Sequence, residues 1–181
     1  MQTSKFEPFG PFKMPVDGVA IDSSREKEKR FWELVETECD GLPDAVGCYI
    51  FAIRAGKGVR PWYVGMTEKA SFRKECWQPH KLLQYVGALQ KRKKGTPVLY
   101  LLAKQTPSGR LTKPSKRRLG AVHALEQLLI NTCILRNSKL LNKKTTKHFR
   151  GIEVPGYMNE SPGARTRHAR RLANVLGVAK N

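Results

Sequence analysis

The sequence predicts an α+β fold, with three strands and several helices in one core and an appendage at each end. Three observations predict it. Two runs rich in β-branched and aromatic residues, 47–54 and 61–65, flank the Gly-containing connection 55–60, which is a hairpin pattern. A third apolar run, Thr96-Pro97-Val98-Leu99-Tyr100-Leu101-Leu102-Ala103-Lys104, has the composition of a buried strand. Stretches of helical period lie at 23–39, 80–91 and 119–134. With 181 residues, 40% of them hydrophobic and 8% aromatic, the chain can bury a core and is too apolar to be disordered.

The first twenty residues are rich in Pro and Phe (Phe6, Pro8, Phe9, Pro11, Phe12, Pro15), which excludes a regular helix. The expectation is a surface arm with its Phe side chains docked. Ser23 and Glu26 have capping-box spacing and open a helix to about residue 39, with Phe31, Leu34, Val35 and Glu38 on one face and Trp32 beside them. Asp40-Gly41-Leu42-Pro43 ends it. In the hairpin, Pro61 is expected at the start of the second strand, where a missing N–H costs little. Side chains alternate with period two. Tyr49 and Tyr63 therefore share a face when paired residue numbers sum to an even value. A loop centred on Gly56 gives that register, and a bulge would restore it.

Residues 67–77 form a short helix capped by Thr67 or Ser71 and carrying Arg73. A second helix follows Pro79, over about 80–91, with Leu82, Leu83, Val86 and Leu89 inward. Residues 105–118 read as a mobile loop. The stretch from Leu119 to Ile134 is the most apolar helix and is expected to be central. Glu126 on it is then partly desolvated and needs a cation, whether an Arg, a Lys or a metal. Ser161-Pro162 starts a last helix, anchored by Leu172, Val175 and Leu176. The domain reading is an N-terminal arm and packing helix at 1–45, a core at 46–143 and a basic extension at 144–181.

The net charge of +19 implies a polyanionic partner, and nucleic acid fits best. The charge is unevenly spread: −1 over 1–65, +12 over 66–118, −1 over 119–135 and +9 over 136–181. The residues expected on the phosphate backbone are Lys69, Lys74, Lys91, Arg92, Lys93, Lys94, Arg110, Lys113, Lys116, Arg117, Arg118, Lys143, Lys144, Arg165, Arg167, Arg170 and Arg171. Between Cys76 and Ile152 the only carboxylate is Glu126. Cys39, Cys48, Cys76 and Cys133 lack C-x-x-C spacing, and His80, His123, His148 and His168 are scattered. A zinc cluster is not expected; the cysteines read as small buried thiols in a reducing compartment. The N-terminus has no signal-peptide core, and no apolar run approaches the ~20 residues of a membrane span. A cytoplasmic protein with no membrane partner is expected.

Taken together, Gly47-Cys48-Tyr49, Tyr63-Val64-Gly65, Arg73 ten residues after the second Tyr, Glu126 in the apolar helix and Asn142 beyond it resemble the GIY-YIG nuclease family. The resemblance covers about residues 46–143. It implies a three-stranded antiparallel sheet flanked by helices and phosphodiester cleavage with one divalent metal per active site, Mg²⁺ or Mn²⁺, and no small-molecule cofactor. It implies that Tyr49 and Tyr63 are the active-site tyrosines, Arg73 the phosphate-binding arginine, Glu126 the metal ligand and Asn142 a supporting residue. Cys48 replaces the middle Ile of the first motif. The connection between the tyrosines is long, so the hairpin is expected to extend. Where many relatives carry a Tyr or His shortly past the arginine, this chain has Trp77; His80 is the nearby alternative.

The chemistry of these side chains suits such a reaction. Mg²⁺ keeps most of its waters and takes one or two carboxylates, so a lone Glu126 suffices. Such a metal is a Lewis acid and stabilises a leaving oxygen. Arg73 offers a planar fork to non-bridging oxygens. Tyr49 is a candidate general base and Tyr63 positions water or shares the proton, although a phenol with pKa near 10 needs neighbouring cations for this. The expected function is a DNA endonuclease, with RNA as the alternative substrate; double-strand cleavage would need a homodimer or two binding events. The rival readings are a non-catalytic nucleic-acid-binding module on the same fold and a basic RNA-associated protein.

Overall fold

The computed structural model describes residues 3–18, 20–92, 95–142, 146, 151–158, 163 and 166–178, with only the backbone of 91–92. Among these, six strands and five helices follow the order β1 (Phe6–Lys13), β2 (Val16–Asp17), β3 (Ala20–Ile21), α1 (Arg25–Glu38), β4 (Gly47–Ala55), β5 (Gly58–Thr67), α2 (Phe72–Cys76), α3 (Pro79–Arg92), β6 (Thr96–Lys104), α4 (Gly120–Arg136) and α5 (Arg167–Val175). The α+β class holds. The main sheet has four antiparallel strands, ordered β1-β6-β4-β5, and β2 and β3 form a separate pair. The sheet is therefore one strand larger than the three expected. No helix among the described residues is long and apolar enough to cross a membrane.

The fourth strand is the Pro- and Phe-rich arm. It pairs with β6 from Phe6↔Lys104 to Lys13↔Val98, with an irregularity between Phe9 and Phe12. An outer strand tolerates proline because one side of its ladder is unpaired. Phe12 is buried and Phe9 packs against the same cluster, so the arm docks as a strand.

The hairpin β4–β5 is longer than the sequence pattern marks, as expected from the long connection. A two-residue turn, Gly56-Lys57, joins Ala55 to its partner Gly58, and Gly56 takes φ +58. That turn gives the odd register. Between Phe51↔Tyr63 and Ala52↔Pro61 the register shifts by one, with Trp62 as the extra residue. The bulge restores even pairing, so of the two routes the second is used. Pro61 consequently lies inside β5, at the bulge, and not at the strand start.

The two sheet faces carry different cores. Tyr49, Phe51 and Ile53 of β4 pack with Leu99 and Leu101 of β6, Phe31, Trp32 and Val35 of α1, and Tyr85, Ala88 and Leu89 of α3. On the other face Ile50 and Val64 meet Ile130, Cys133 and Ile134 of α4. Trp77 joins the first core, its ring centroid 4.7 Å from Phe31 and 5.4 Å from Trp32.

Several positions expected from periodicity to face inward are exposed. In α1, Leu34 is 55% exposed and Glu38 is exposed, while Trp32 is fully packed. The Ser23–Glu26 capping box is not formed: Ser24 is the N-cap, and its N–H donates to Asp22 Oδ1 at 3.0 Å. In α2 the cap is Ser71, which accepts from the Lys74 N–H. In α3, Leu83 is 72% exposed and Tyr85 takes the inward position. Helix α4 is not central: it lies on one face of the sheet with Leu128 61% exposed. Helix α5 starts at Arg167 with Thr166 as cap, and Ala169 and Ala173 anchor it instead of Leu172, Val175 and Leu176, all of which are exposed. Ser161-Pro162 lies outside the described residues.

All four cysteines are free thiols; Cys48, Cys76 and Cys133 are buried and Cys39 half-buried. Burial pushes the Cys48 thiol up to about 12 and Cys133 up to about 11.

Strand β5 is the outer strand on the α4 side, and the chain after α4 runs along it. The Asn137 amide donates to Pro61 O at 2.7 Å and the Leu141 N–H to Trp62 O at 2.8 Å. Asn142 serves both backbone groups of Val64: its Oδ1 accepts from the Val64 N–H at 2.9 Å and its Nδ2 donates to Val64 O at 2.7 Å. One side chain thus replaces a neighbouring strand. Asn142→Ala leaves both groups of a half-buried ladder unpaired, and the expected loss is about 1–3 kcal/mol. A urea-unfolding midpoint equal to wild type would remove this role.

Candidate active site

Two strands carry the tyrosines of the site, and three helices bring the charged groups near them. Tyr49↔Gly65 and Phe51↔Tyr63 are cross-strand pairs, so Tyr49 and Tyr63 are diagonal neighbours on one face. Their ring centroids are 6.1 Å apart. Gly65 is where it is because of Tyr49: a Cβ there would fall 2.4 Å from Tyr49 Oη. The tyrosine ring lies across the backbone of its partner, which only glycine allows. The bulge at Trp62 re-aims the chain, so Trp62 and Tyr63, though consecutive, both pack toward the same core.

Helices α2 and α3 bring groups that no pattern in the sequence singles out. The Tyr49 hydroxyl lies 3.4 Å from Glu75 Oε1. Lys81 Nζ donates to Tyr63 Oη at 2.7 Å and pairs with Glu75 Oε1 at 3.4 Å. The lysine and glutamate side chains are only 12% and 17% exposed. Tyr85 stacks on Phe51 at 4.1 Å, and its own hydroxyl is buried beside Tyr49. Burial pushes the Tyr49 and Tyr85 phenols well above the ordinary tyrosine range, and the surrounding acidic groups add to it. Burial alone would lower Lys81, but Tyr63 and Glu75 outweigh it, so the amine is raised and stays charged.

The carboxyl of Glu126 is half-buried on α4. Burial raises it above the ordinary glutamate range; His123 and Lys81 pull it down and Glu75 pushes it up. These influences place it within electrostatic reach of Lys81 and Glu75. No described side chain forms a hydrogen bond or ion pair with it. The expected cation is therefore not a neighbouring described Arg or Lys.

Arg73 is not brought to the tyrosines. It projects from α2 toward Asp44, with Nε 3.6 Å from Oδ1, and lies near Glu28 of α1. Both members of that pair are about half exposed. His80 is exposed in the first turn of α3. Asn142 acts through the backbone of Val64, the residue between Tyr63 and Gly65. Among the described residues no group of three or more His, Cys, Asp or Glu could hold a metal together.

No protein-family model, curated protein or solved structure matches this chain.

The 105–118 segment, expected to be mobile, is tied across the strand ends: the Thr112 N–H donates to Lys104 O, the Val46 N–H to Thr112 O and the Ser115 N–H to Glu68 O. Arg110, Lys113, Lys116, Arg117 and Arg118 are exposed on it, as are Lys69 and Lys74 nearby in sequence. Arg167, Arg170 and Arg171 are exposed on α5. The side chains of Lys91 and Arg92, and all of Lys93, Lys94, Lys143, Lys144 and Arg165, lie outside the described residues.

Glu68 joins the end of β5 to α4. Its Oε2 accepts the Leu119 N–H at 2.7 Å, and its Oε1 is 3.2 Å from His123 Nε2. The Leu119 N–H, then His123, hold its carboxyl below the ordinary glutamate range. A depressed carboxylate stabilises the fold above its unfolded value, and that contribution is lost as pH falls through the folded one. Glu68→Gln is therefore expected to flatten the acid side of a Tm-against-pH curve; an unchanged curve would sink this.

Proposed function

We propose that the chain is a divalent-metal-dependent endonuclease of GIY-YIG type, hydrolysing phosphodiester bonds in DNA at a single active site. The observation that carries this reading is the convergence of Tyr49 and Tyr63 on one hairpin face, with the half-buried carboxylate of Glu126, which has no described ion-pair partner, in electrostatic range of the Lys81–Glu75 pair that meets their hydroxyls. A desolvated carboxylate without a protein counter-ion suits a Mg²⁺ ligand. Glu126 would hold the ion, with water filling the other positions; Glu75 is already paired with Lys81. The metal would supply Lewis-acid charge at the phosphate. The exposed cations on the 105–118 segment and α5 would hold the nucleic-acid backbone.

The placement of Arg73 against Asp44 favours one rival, a module on the same fold that binds nucleic acid without cutting it. Plasmid nicking separates them. With Mg²⁺ or Mn²⁺ at low salt, supercoiled DNA should be nicked, and EDTA should stop it. Binding with a steep salt dependence but no cleavage under any metal would favour the rival.

A further inference from the structure

One buried residue holds a basic loop at both ends. The 105–118 segment contains Arg110, Lys113, Lys116, Arg117 and Arg118 and no Asp or Glu. Lys116, Arg117 and Arg118 are consecutive and exposed, and so is Lys69, next in sequence to the anchor. The anchor is Glu68, 8% exposed just beyond β5. Its main-chain oxygen accepts the Ser115 N–H at 2.9 Å, and its Oε2 accepts the Leu119 N–H at 2.7 Å. Between these points the Arg117 N–H donates to Ser115 Oγ at 3.2 Å. Pro114 fixes its own φ at the entry. The run 115–119 therefore closes on a single residue.

The anchor does not neutralise the cations that it presents. Its carboxylate is committed to a backbone N–H and lies 3.2 Å from His123 Nε2. Lys69, Lys116, Arg117 and Arg118 form no ion pair with a described carboxylate. Like charges held together on a short closed loop repel one another, and an external polyanion relieves that repulsion. The run 115–118 has no apolar side chain to insert into a bilayer and no aromatic ring on which an unpaired base could stack. A duplex backbone, read through its phosphates alone, fits it best.

We propose that residues 115–119 are a preformed clamp for the phosphate backbone of duplex DNA, and that Glu68 is the positioning residue that sets it. A loop ordered before contact loses little entropy on binding. Helix α4 begins directly after the clamp. Glu126 follows Leu119 by seven residues, about 10 Å along the helix axis. That is about three base steps of one strand. Which phosphate the clamp seats rests on the nuclease reading above; that it seats one does not.

The test uses the full chain without metal, so cleavage plays no part. Binding of a short labelled duplex DNA is followed by fluorescence anisotropy over a range of salt. Lys116→Gln, Arg117→Gln and Arg118→Gln combined should lower the slope of log K against log salt by about 2–3. Two changes at Glu68 separate position from charge. Glu68→Gln removes the charge but keeps an oxygen for the Leu119 N–H, and should bind as tightly as wild type or more tightly. Glu68→Asp keeps the charge but withdraws the oxygen by one methylene, and should bind about fivefold more weakly. Charge alone predicts no change for the Asp variant, so wild-type affinity in that folded protein would overturn the role of Glu68. Hydrogen exchange on the wild type needs no variant. The Ser115 and Leu119 amides should be protected before DNA is added; free exchange there would overturn the preformed clamp. An unchanged salt slope would remove the loop from the interface, as would a wild type that binds anionic phospholipid vesicles but not duplex DNA. Plasmid that is bound through the loop and never nicked removes the nuclease reading alone and leaves the clamp standing.

Discussion

Replacing Glu126 by Gln is expected to lower the plasmid-nicking rate by about 10³-fold while leaving low-salt DNA binding within a few-fold of wild type. The asymmetry follows from where the carboxylate sits. It is half-buried, raised by desolvation and without a described ion-pair partner, so its removal costs the fold little and relieves a burial penalty. Glu75 cannot substitute, because Lys81 holds it. The same raised carboxyl gives a pH signature. Protons compete with metal for it at higher pH than at an exposed glutamate, so metal-dependent cleavage should decline in weakly acid solution and recover as pH rises. A Glu126→Gln protein that still cuts within tenfold of wild type would sink the metal role.

The second large effect is on folding. Gly47→Ala is expected to destabilise the protein by about 3 kcal/mol or more, read as a fall in the urea midpoint. Gly47 has φ +152, a conformation that side chains rarely adopt, and a Cβ there would lie 2.1 Å from Leu102 O. The obstacle is backbone of the central strand pair, which cannot move without breaking the β4–β6 ladder. Gly58→Ala is the control: its added methyl would find its nearest neighbour, Ala55 O, at 3.8 Å. It should change stability by less than about 1 kcal/mol. Equal effects at both positions would show that the close approach at Gly47 is not what requires glycine. The first glycine of the motif therefore has a mechanical reason independent of catalysis, and the second, Gly65, makes room for Tyr49.

The hairpin is legible in the sequence because its strands alternate and its turn carries Gly56. The shared face of Tyr49 and Tyr63 follows from parity, although only the structure shows that Trp62 supplies it through a bulge. Strand β1 is illegible because Pro8 and Pro11 argue against a sheet, and an outer position removes that objection. Leu34 and Leu83 face outward for one reason. Helical period marks only the rough direction of an apolar face, and nearby large aromatic residues, Trp32 and Tyr85, take the inward places.

The site is legible only in part, for physical reasons. Tyr49, Tyr63, Glu126 and Asn142 occupy positions whose surroundings are visible in the sequence: glycines, a lone acid in an apolar helix, a polar residue after it. Lys81 and Glu75 do not. A lysine in a strongly basic segment resembles its many solvated neighbours, and nothing in one dimension distinguishes the one held over a tyrosine. Its separation from Glu75 spans the break between α2 and α3, so helical spacing gives no signal either. Arg73 shows the converse: its spacing fits the family pattern, yet its guanidinium is turned to Asp44.

The run from Asn137 to Asn142 along β5 also bears on how the protein behaves when crowded on a polyanion. At one border of the sheet the oxygens of Pro61 and Trp62 and both groups of Val64 are already taken by that run. At the other, Pro8 and Pro11 delete two donors from β1. Neither border offers an intact ladder to a second molecule. Copies drawn together along a nucleic acid can therefore reach high local density without zipping into a continuous sheet. A truncation ending at residue 136 would lose that safeguard on one side and should precipitate with DNA where the full chain stays dispersed.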